Sequence, residues 1–357
     1  ARPNLCGSLF RLGEGRGEGR GGVRVSEMES RGSSFATFSV YLRALADTPH
    51  RMANRALAIS SPSEEMNGVR SRSGASLQRR LRWFDLIGFG IGGMVGAGVF
   101  VTSGIASRQA AGPSVILSFL IAGLSSLLSA FCYTEFAVDM PVAGGAFTYI
   151  RVTFGEFAAF LAGANIITDY VLSNAAVSRS FTAYLATAFG GSSGDNWRIT
   201  LSSLPKGFNQ MDFGAVAIVL IITLLICYGT RESSLLNMLL TALHLAFIAF
   251  VIVMGFWKGH WKNLVEPGNP NHAAGFFPYG AAGVFNGAAM VYVSYIGYDA
   301  VSTMAEEVRD PVKDIPIGVS GSVTVVTILY CLMAASMSVL RPYDLIDPNA
   351  PFSGGIV

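Results

Sequence analysis

Three ionisable residues stand inside long apolar runs: Asp169 in NIITDYVLSN, His244 in NMLLTALHLAFIAF and Asp299 in YVSYIGYDAVST. A charge at the centre of a bilayer costs about 3 kcal/mol unless it faces protein or water, so such residues mark pathways, proton relays or counter-ions. The position of Asp169 near the middle of its run argues for a functional carboxylate over a charge snorkelling to the surface. Ser173 shares its helical face at i, i+4. Histidine titrates nearest neutral pH, although a lone histidine on an apolar face is more often a packing residue. Asp299 has two readings. It is either a helix-end or loop-pairing charge, or a partner for a cationic group and a brace for unwound backbone.

The remaining chemistry belongs to the backbone. Residues 88–100 read GFGIGGMVGAGVF, six glycines in thirteen residues without a charge. Each glycine in a helix interior costs about 1 kcal/mol relative to alanine. Gly88, Gly92 and Gly96 fall on one face at i, i+4 and read as close helix packing. Gly90, Gly93 and Gly98 lie off that face, so something else wants the backbone bare around 96–98. Unwound backbone at membrane depth is tolerated where it lines a cavity. There the N–H groups that open the second half-helix carry positive partial charge and can hold a carboxylate. Met94, Gly96, Ala97 and Gly98 form this candidate cradle. Gly297 marks a second interruption, beside Asp299, where free carbonyls near Val293, Ser294 and Ile296 can hold an ammonium. Donors at one break and acceptors at the other fit the two ends of an α-amino acid. Interrupted helices at corresponding positions of two halves are a feature of inverted-repeat transporters.

These residues need membrane-spanning elements to position them. The chain is 51% hydrophobic and 13% charged, against about 25% charged in soluble domains. A span needs about 20 apolar residues, and seven segments qualify: 85–105, 114–138, 157–189, 212–229, 235–256, 280–305 and 318–340. The first and sixth are five apart, the spacing of a five-plus-five inverted repeat. Residues 1–83 hold 14 Arg against 7 acids, a basic head that normally remains cytoplasmic. Residues 1–27 precede the first methionine, Met28, and read as leader or non-native sequence. The stretch 34–55 is weakly amphipathic, the pattern of an interfacial helix. EEVRDPVKDIP (306–316) reads as a solvated loop in which Pro311 and Pro316 stop helix continuation. Cys6, Cys132, Cys227 and Cys331 form no metal or disulfide pattern. No metal or other cofactor is expected. A dinucleotide loop is excluded because GFGIGGMVG would lie in lipid without a preceding strand. An ion channel is disfavoured because Met94 and Phe100 occlude the first break and no ring of charges is visible.

GIGGMVGAGVFVTSG (90–104) resembles the first-helix signature of the amino acid–polyamine–organocation superfamily. FCYTEFAVDMPVAGGAFTYIRVTFGE (131–156) is similar to its second-helix and loop signature. SYIGYDAVSTMAEEVRDPVKDIPIGV (294–319) looks like the sixth helix and loop of its cationic amino acid transporter family. TPHRMANRA and RSGASLQRRLRWFDLIG resemble the plant members. The resemblance implies an all-α integral membrane fold, a LeuT-like five-plus-five core left incomplete at about seven helices. Residues 1–83 would be a largely disordered tail, 84–256 the first repeat, 257–340 the start of the second and 341–357 a truncated loop.

The implied activity is amino acid transport by alternating access, for arginine, lysine or a broader set, with no enzymatic step. An acid occupies the family position matching Asp169, near the substrate and coupling site. Proton-coupled relatives place a lysine at the position matching His244. Asp169 and His244 are therefore the expected proton-coupling pair. The partners implied are an amino acid, protons and the lipid bilayer, and nothing points to nucleic acid. The plasma membrane is expected ahead of the vacuolar membrane, with a cytoplasmic N-terminus. The alternative is a truncated sensor or interaction subunit that binds without transporting.

Overall fold

The computed structural model describes residues 38–56, 63–64, 67–68, 79–142, 144–188, 198–200, 209–228, 230–348 and 351–352. The reading of residues 1–27 lies outside the described residues, as does the end of the 341–357 segment.

The basic head contains α1 (Phe38–Ala46) and α2 (Thr48–Ala56). They belong to a compact unit of their own. Phe38, Tyr41, Leu42 and Leu45 recur at helical spacing and are exposed, which gives α1 one apolar face of the kind expected over 34–55.

In the second unit the first expected span is two helices, α3 (Trp83–Met94) and α4 (Ala97–Ala106). The Asp85 carboxylate accepts the Arg82 backbone N–H at 3.0 Å, one half of a capping box. Between the two helices Val95 and Gly96 have extended backbone. After α4 the chain widens through a π turn at Ser107–Ala111 and turns at Gly112, whose φ is 63°. It then enters α5 (Val115–Asp139). Gly144 and Gly145, both at positive φ, open α6 (Gly145–Phe154), and Gly155 at positive φ ends it. Helix α7 (Glu156–Ala188) has 33 residues, about 50 Å at 1.5 Å per residue, enough to cross a bilayer with tilt.

Two short strands, β1 (Ile199–Thr200) and β2 (Gln210–Met211), pair antiparallel before α8 (Phe213–Tyr228). Asp212 caps α8 through the Ala215 N–H and accepts the Thr182 hydroxyl of α7 at 2.6 Å. Helix α9 (Thr230–Lys258) follows. The sixth expected span is divided into α10 (Gly280–Val291), a 3-10 turn at Tyr292–Tyr295, and the short α11 (Asp299–Thr303). Helix α12 (Pro311–Leu340) closes the described helices.

Two expectations are corrected here. Pro311 and Pro316 do not stop a helix. Pro311 is the first residue of α12 and Pro316 lies inside it. A proline at the first position loses only an N–H that has no helical acceptor anyway, so the helix begins seven residues before the apolar run. The glycine assignment also changes in part. Gly90, Gly93 and Gly98 are the most tightly packed: a Cβ there would meet Ser322, Gly297 or Ser294 within about 3 Å, while Gly92 meets Thr241 of α9 at 3.4 Å, Gly88 has nothing within 4 Å and Gly96 only the Met94 carbonyl at 4.0 Å. The break between α3 and α4 turns the second half-helix, so i, i+4 counting through 95–96 does not preserve a face.

Helix α12 is the centre of the packing, against α5, α3 and α9, and α10 lies along α5. Leu86, Phe119, Val319, Val323, Val326, Tyr330 and Met333 are fully buried there. Small residues permit the approach: a Cβ on Gly318 would strike Leu86, and one on Gly123 would strike Thr327. Such close packing replaces a hydrophobic driving force between helices in lipid. Among the described residues, Gly98–Asp139, Thr241–Lys258 and Pro311–Leu340 are long and apolar enough to cross a membrane.

Candidate functional site

The two interrupted spans meet at their interruptions. Gly93, at the end of α3, lies against the Gly297 backbone, and Gly98, in the first turn of α4, lies against Ser294. Only glycine allows the first contact, because Gly297 has φ 122° and a side chain there would overlap the Gly93 carbonyl. At one end the two spans are also tied by strand-like pairing. Leu81 bridges Val308, with Leu81 N–H donating to Glu307 O at 3.0 Å and Arg309 N–H to Leu81 O at 2.9 Å.

Each interruption frees backbone groups. Because α4 starts at Ala97 with Gly96 as its N-cap, the N–H groups of Gly96, Ala97, Gly98 and Val99 have no acceptor within their own helix, and they give this end positive partial charge. A Cβ on Gly96 would meet only the Met94 carbonyl, at 4.0 Å. Across the join, the 3-10 turn ends at Ile296, whose own N–H donates to Val293 O at 3.2 Å. Among the described residues no donor reaches the Ile296 carbonyl.

Hydroxyl groups stitch the join. Thr102 Oγ1 donates to Gly98 O at 2.7 Å and lies 2.7 Å from Ser294 Oγ. A hydroxyl has one proton, so Ser294 is the donor in that second bond. Tyr330 of α12, fully buried, points its hydroxyl at Met94 O (2.7 Å) and Ser294 O (3.0 Å). Asp299 braces the second break: its Oδ1 accepts the Gly297 N–H at 3.1 Å and its Oδ2 the Tyr170 hydroxyl of α7 at 3.3 Å.

The structure therefore gathers Met94, Gly96, Ala97, Gly98, Ser294, Ile296, Gly297 and Asp299 around one backbone join. Val293 is half exposed, at 46%, with its side chain turned away, and its carbonyl serves Ile296. Both polar groups of Ser294 already have partners. Asp169 is exposed on α7, one residue before the Tyr170 that reaches Asp299. His244 is exposed on α9, its ring centroid 6.4 Å from that of Phe100 in α4. The Phe100 carbonyl accepts the Tyr184 hydroxyl at 3.0 Å.

Tyr330, Thr102 and Tyr170 are absent from the sequence reading. The signal for Tyr330 was present in VTVVTILYCLMAA. A tyrosine deep in an apolar run must find an acceptor for its hydroxyl, and interrupted helices supply free carbonyls. An apolar cleft of about 130 Å³ between α5 and α6 is lined by Cys132, Tyr133, Phe136 and Tyr149, and its Tyr133 ring packs edge-on against Tyr298 at the second break, 5.6 Å between centroids.

Residues 81–354 match the amino acid permease family. The chain is 67% identical over 331 residues to cationic amino acid transporter 6, chloroplastic, of Arabidopsis thaliana, covering 93% of this chain and 57% of that protein. It is 67% identical over 321 residues to cationic amino acid transporter 7, chloroplastic, of the same plant, covering 90% and 55%. Identity to cationic amino acid transporter 1 of Arabidopsis thaliana is 46% over 320 residues, covering 90% and 52%. The chain spans about half the length of these relatives. Their names correct the expected location. The two at 67% identity are named chloroplastic and others vacuolar or mitochondrial, which conflicts with the plasma membrane.

Proposed function

The chain belongs to the amino acid permease family, and on that premise we propose that it moves amino acids, cationic ones foremost, across a chloroplast membrane by proton-coupled alternating access. The observation that carries this reading is the backbone join: two interrupted spans set glycine against glycine, with helix-start N–H groups of α4 beside free carbonyls of the sixth span. The substrate carboxylate takes the N–H groups at Gly96, Ala97 and Gly98, where positive partial charge replaces its water. Its ammonium takes carbonyls at Ser294 and Ile296. The carboxylate of Asp299 receives a cationic side chain while keeping its bond to the Gly297 N–H. Met94, Gly297 and Val293 shape the site around them.

Asp169 and His244 form the proton path. Both sit on helices next to the first broken span, and a charge change at either biases one helix body against the other. The architecture is a LeuT-like inverted repeat, with 84–256 as the first repeat and 257–340 as the opening of the second. The strand-like tie of Leu81 to Val308 supports this, since it lets the two broken helices rock as one body.

Uptake of radiolabelled arginine into proteoliposomes, beside equilibrium binding in nanodiscs, tests the proposal. Saturable uptake that rises with an inward proton gradient is expected. Binding without uptake would instead make the protein an amino acid sensor or interaction subunit. Neither binding nor uptake would overturn both readings.

A further inference from the structure

Among the described residues, Tyr330 is the one side chain whose hydroxyl reaches the freed backbone of both interruptions. It lies on α12, outside both broken spans, with no exposed surface. Its ring is held edge-on by Phe119 and Tyr295, at centroid distances of 5.6 and 5.2 Å. Tyr295 is itself anchored, its hydroxyl donating to Phe119 O at 2.8 Å. The ring therefore has little freedom, and the hydroxyl stays between Met94 O and Ser294 O.

Two carbonyls compete there for one proton. A phenol has a single O–H to donate, and the distances, 2.7 Å to Met94 O and 3.0 Å to Ser294 O, favour Met94. The Ser294 carbonyl thus receives the weaker share of one bond in a buried place, where an unmet acceptor is costly. A substrate ammonium brings three donors.

Resting on the transport reading above, we infer that Tyr330 is a positioning residue whose hydroxyl holds the Ser294 carbonyl in the empty site and yields it to the substrate ammonium on binding. The hydroxyl then settles fully on Met94 O. Binding at the second break is in this way reported to the first, through one proton that changes partner without leaving its oxygen. The substrate group recognised is an α-ammonium, whatever the side chain.

The test compares arginine with 4-guanidinobutyrate, which keeps the carboxylate and guanidinium and lacks the α-ammonium. Binding of both is measured on the protein in nanodiscs. Tyr330→Phe removes the competitor, so arginine should bind at least fivefold tighter relative to guanidinobutyrate, while the maximal uptake rate falls because the two breaks are no longer held together. A packing role alone would shift both ligands by the same factor, and that result would overturn the inference. Replacing Tyr330 by 3,5-difluorotyrosine keeps the shape and strengthens the donor. It guards against misfolding of the phenylalanine variant and should act in the opposite direction, weakening arginine relative to guanidinobutyrate. An unchanged ratio in the fluorinated protein overturns the inference equally. Wild-type protein that binds neither compound overturns the transport reading and this assignment with it. Failure of the Tyr330 assignment alone is distinguishable, since wild type then binds both.

Discussion

Gly93 and Gly297 touch through bare backbone, and this contact joins the two interrupted spans. Each lies where the other's side chain would have to be. Gly297 is doubly constrained because its φ of 122° is a region that side-chain-bearing residues rarely adopt.

Gly297→Ala should therefore be among the most damaging single-methyl changes in the chain. The backbone strain alone is about 1–3 kcal/mol, and the overlap with the Gly93 carbonyl adds to it. Gly88→Ala is the matched control, because a Cβ there meets nothing within 4 Å and alanine is the better helix former by about 1 kcal/mol. Thermal unfolding in detergent should show a lowered midpoint for the first and an equal or raised midpoint for the second. Equal midpoints for the two variants would remove the join from the account of stability.

Gly96 and Gly98 separate packing from ligand contact. A Cβ on Gly98 would press on Ser294 at 3.0–3.3 Å, whereas one on Gly96 meets only the Met94 carbonyl at 4.0 Å. Gly96 also has φ −145° and ψ −161°, extended backbone that any residue adopts. Gly96→Ala should leave the melting midpoint unchanged and yet weaken arginine binding, by about 1–3 kcal/mol for a methyl group placed in the ligand's space, 10- to 200-fold. Gly98→Ala should lower both. Wild-type affinity in Gly96→Ala would put the carboxylate elsewhere.

The helices were legible because apolar length is a strong signal, and both breaks were legible because glycine and a carboxylate are out of place in a span. What could not be read is which glycine touches what. Gly88, Gly92 and Gly96 match a packing pattern on a continuous helix, but the helix is discontinuous at Val95 and Gly96, and the closest packing is at Gly90, Gly93 and Gly98, with Gly92 alone of the expected three against a neighbouring helix. Residues that complete the join from other helices were hidden for a related reason. Tyr330 lies 236 positions from Met94, and Tyr170 lies 129 from Asp299. Single-sequence periodicity holds no information about pairs that only the tertiary fold brings together. The start of α12 is ambiguous in the sequence because a proline such as Pro311 reads equally as the end of one helix and the opening of the next.

Asp299 has a bracing role in the structure and a proposed ligand role, and one substitution separates them. In Asp299→Asn the side-chain carbonyl still accepts the Gly297 N–H, now at 3.1 Å from Oδ1, so the break stays braced. The negative charge is lost. Hydrogen bonds to charged groups contribute about 1.5–3 kcal/mol, so arginine and lysine should bind roughly tenfold or more weakly while a neutral amino acid such as glutamine is unaffected. Competition binding against labelled arginine measures the ratio. Equal loss for all three amino acids would leave Asp299 as a brace only.

His244 provides the pH test. Its ring lies beside Phe100 in α4, and Phe100 packs on Phe247 of α9 as well. In the proposed mechanism, a histidine placed so, against the half-helix that opens the candidate carboxylate cradle, couples its protonation to the position of α4 by adding a charge where the neighbours are aromatic. Uptake by the wild-type protein should vary between about pH 5 and 8, the interval in which histidine titrates. His244→Gln keeps a polar group of similar length and removes the titration, so its uptake profile should flatten over that interval with normal amounts of protein in the vesicles. Asp169→Asn removes the other member of the proposed pair and should lower the uptake rate as well. A His244→Gln profile that keeps the wild-type shape would assign the proton dependence to another group, and Asp169 would then be the first to examine.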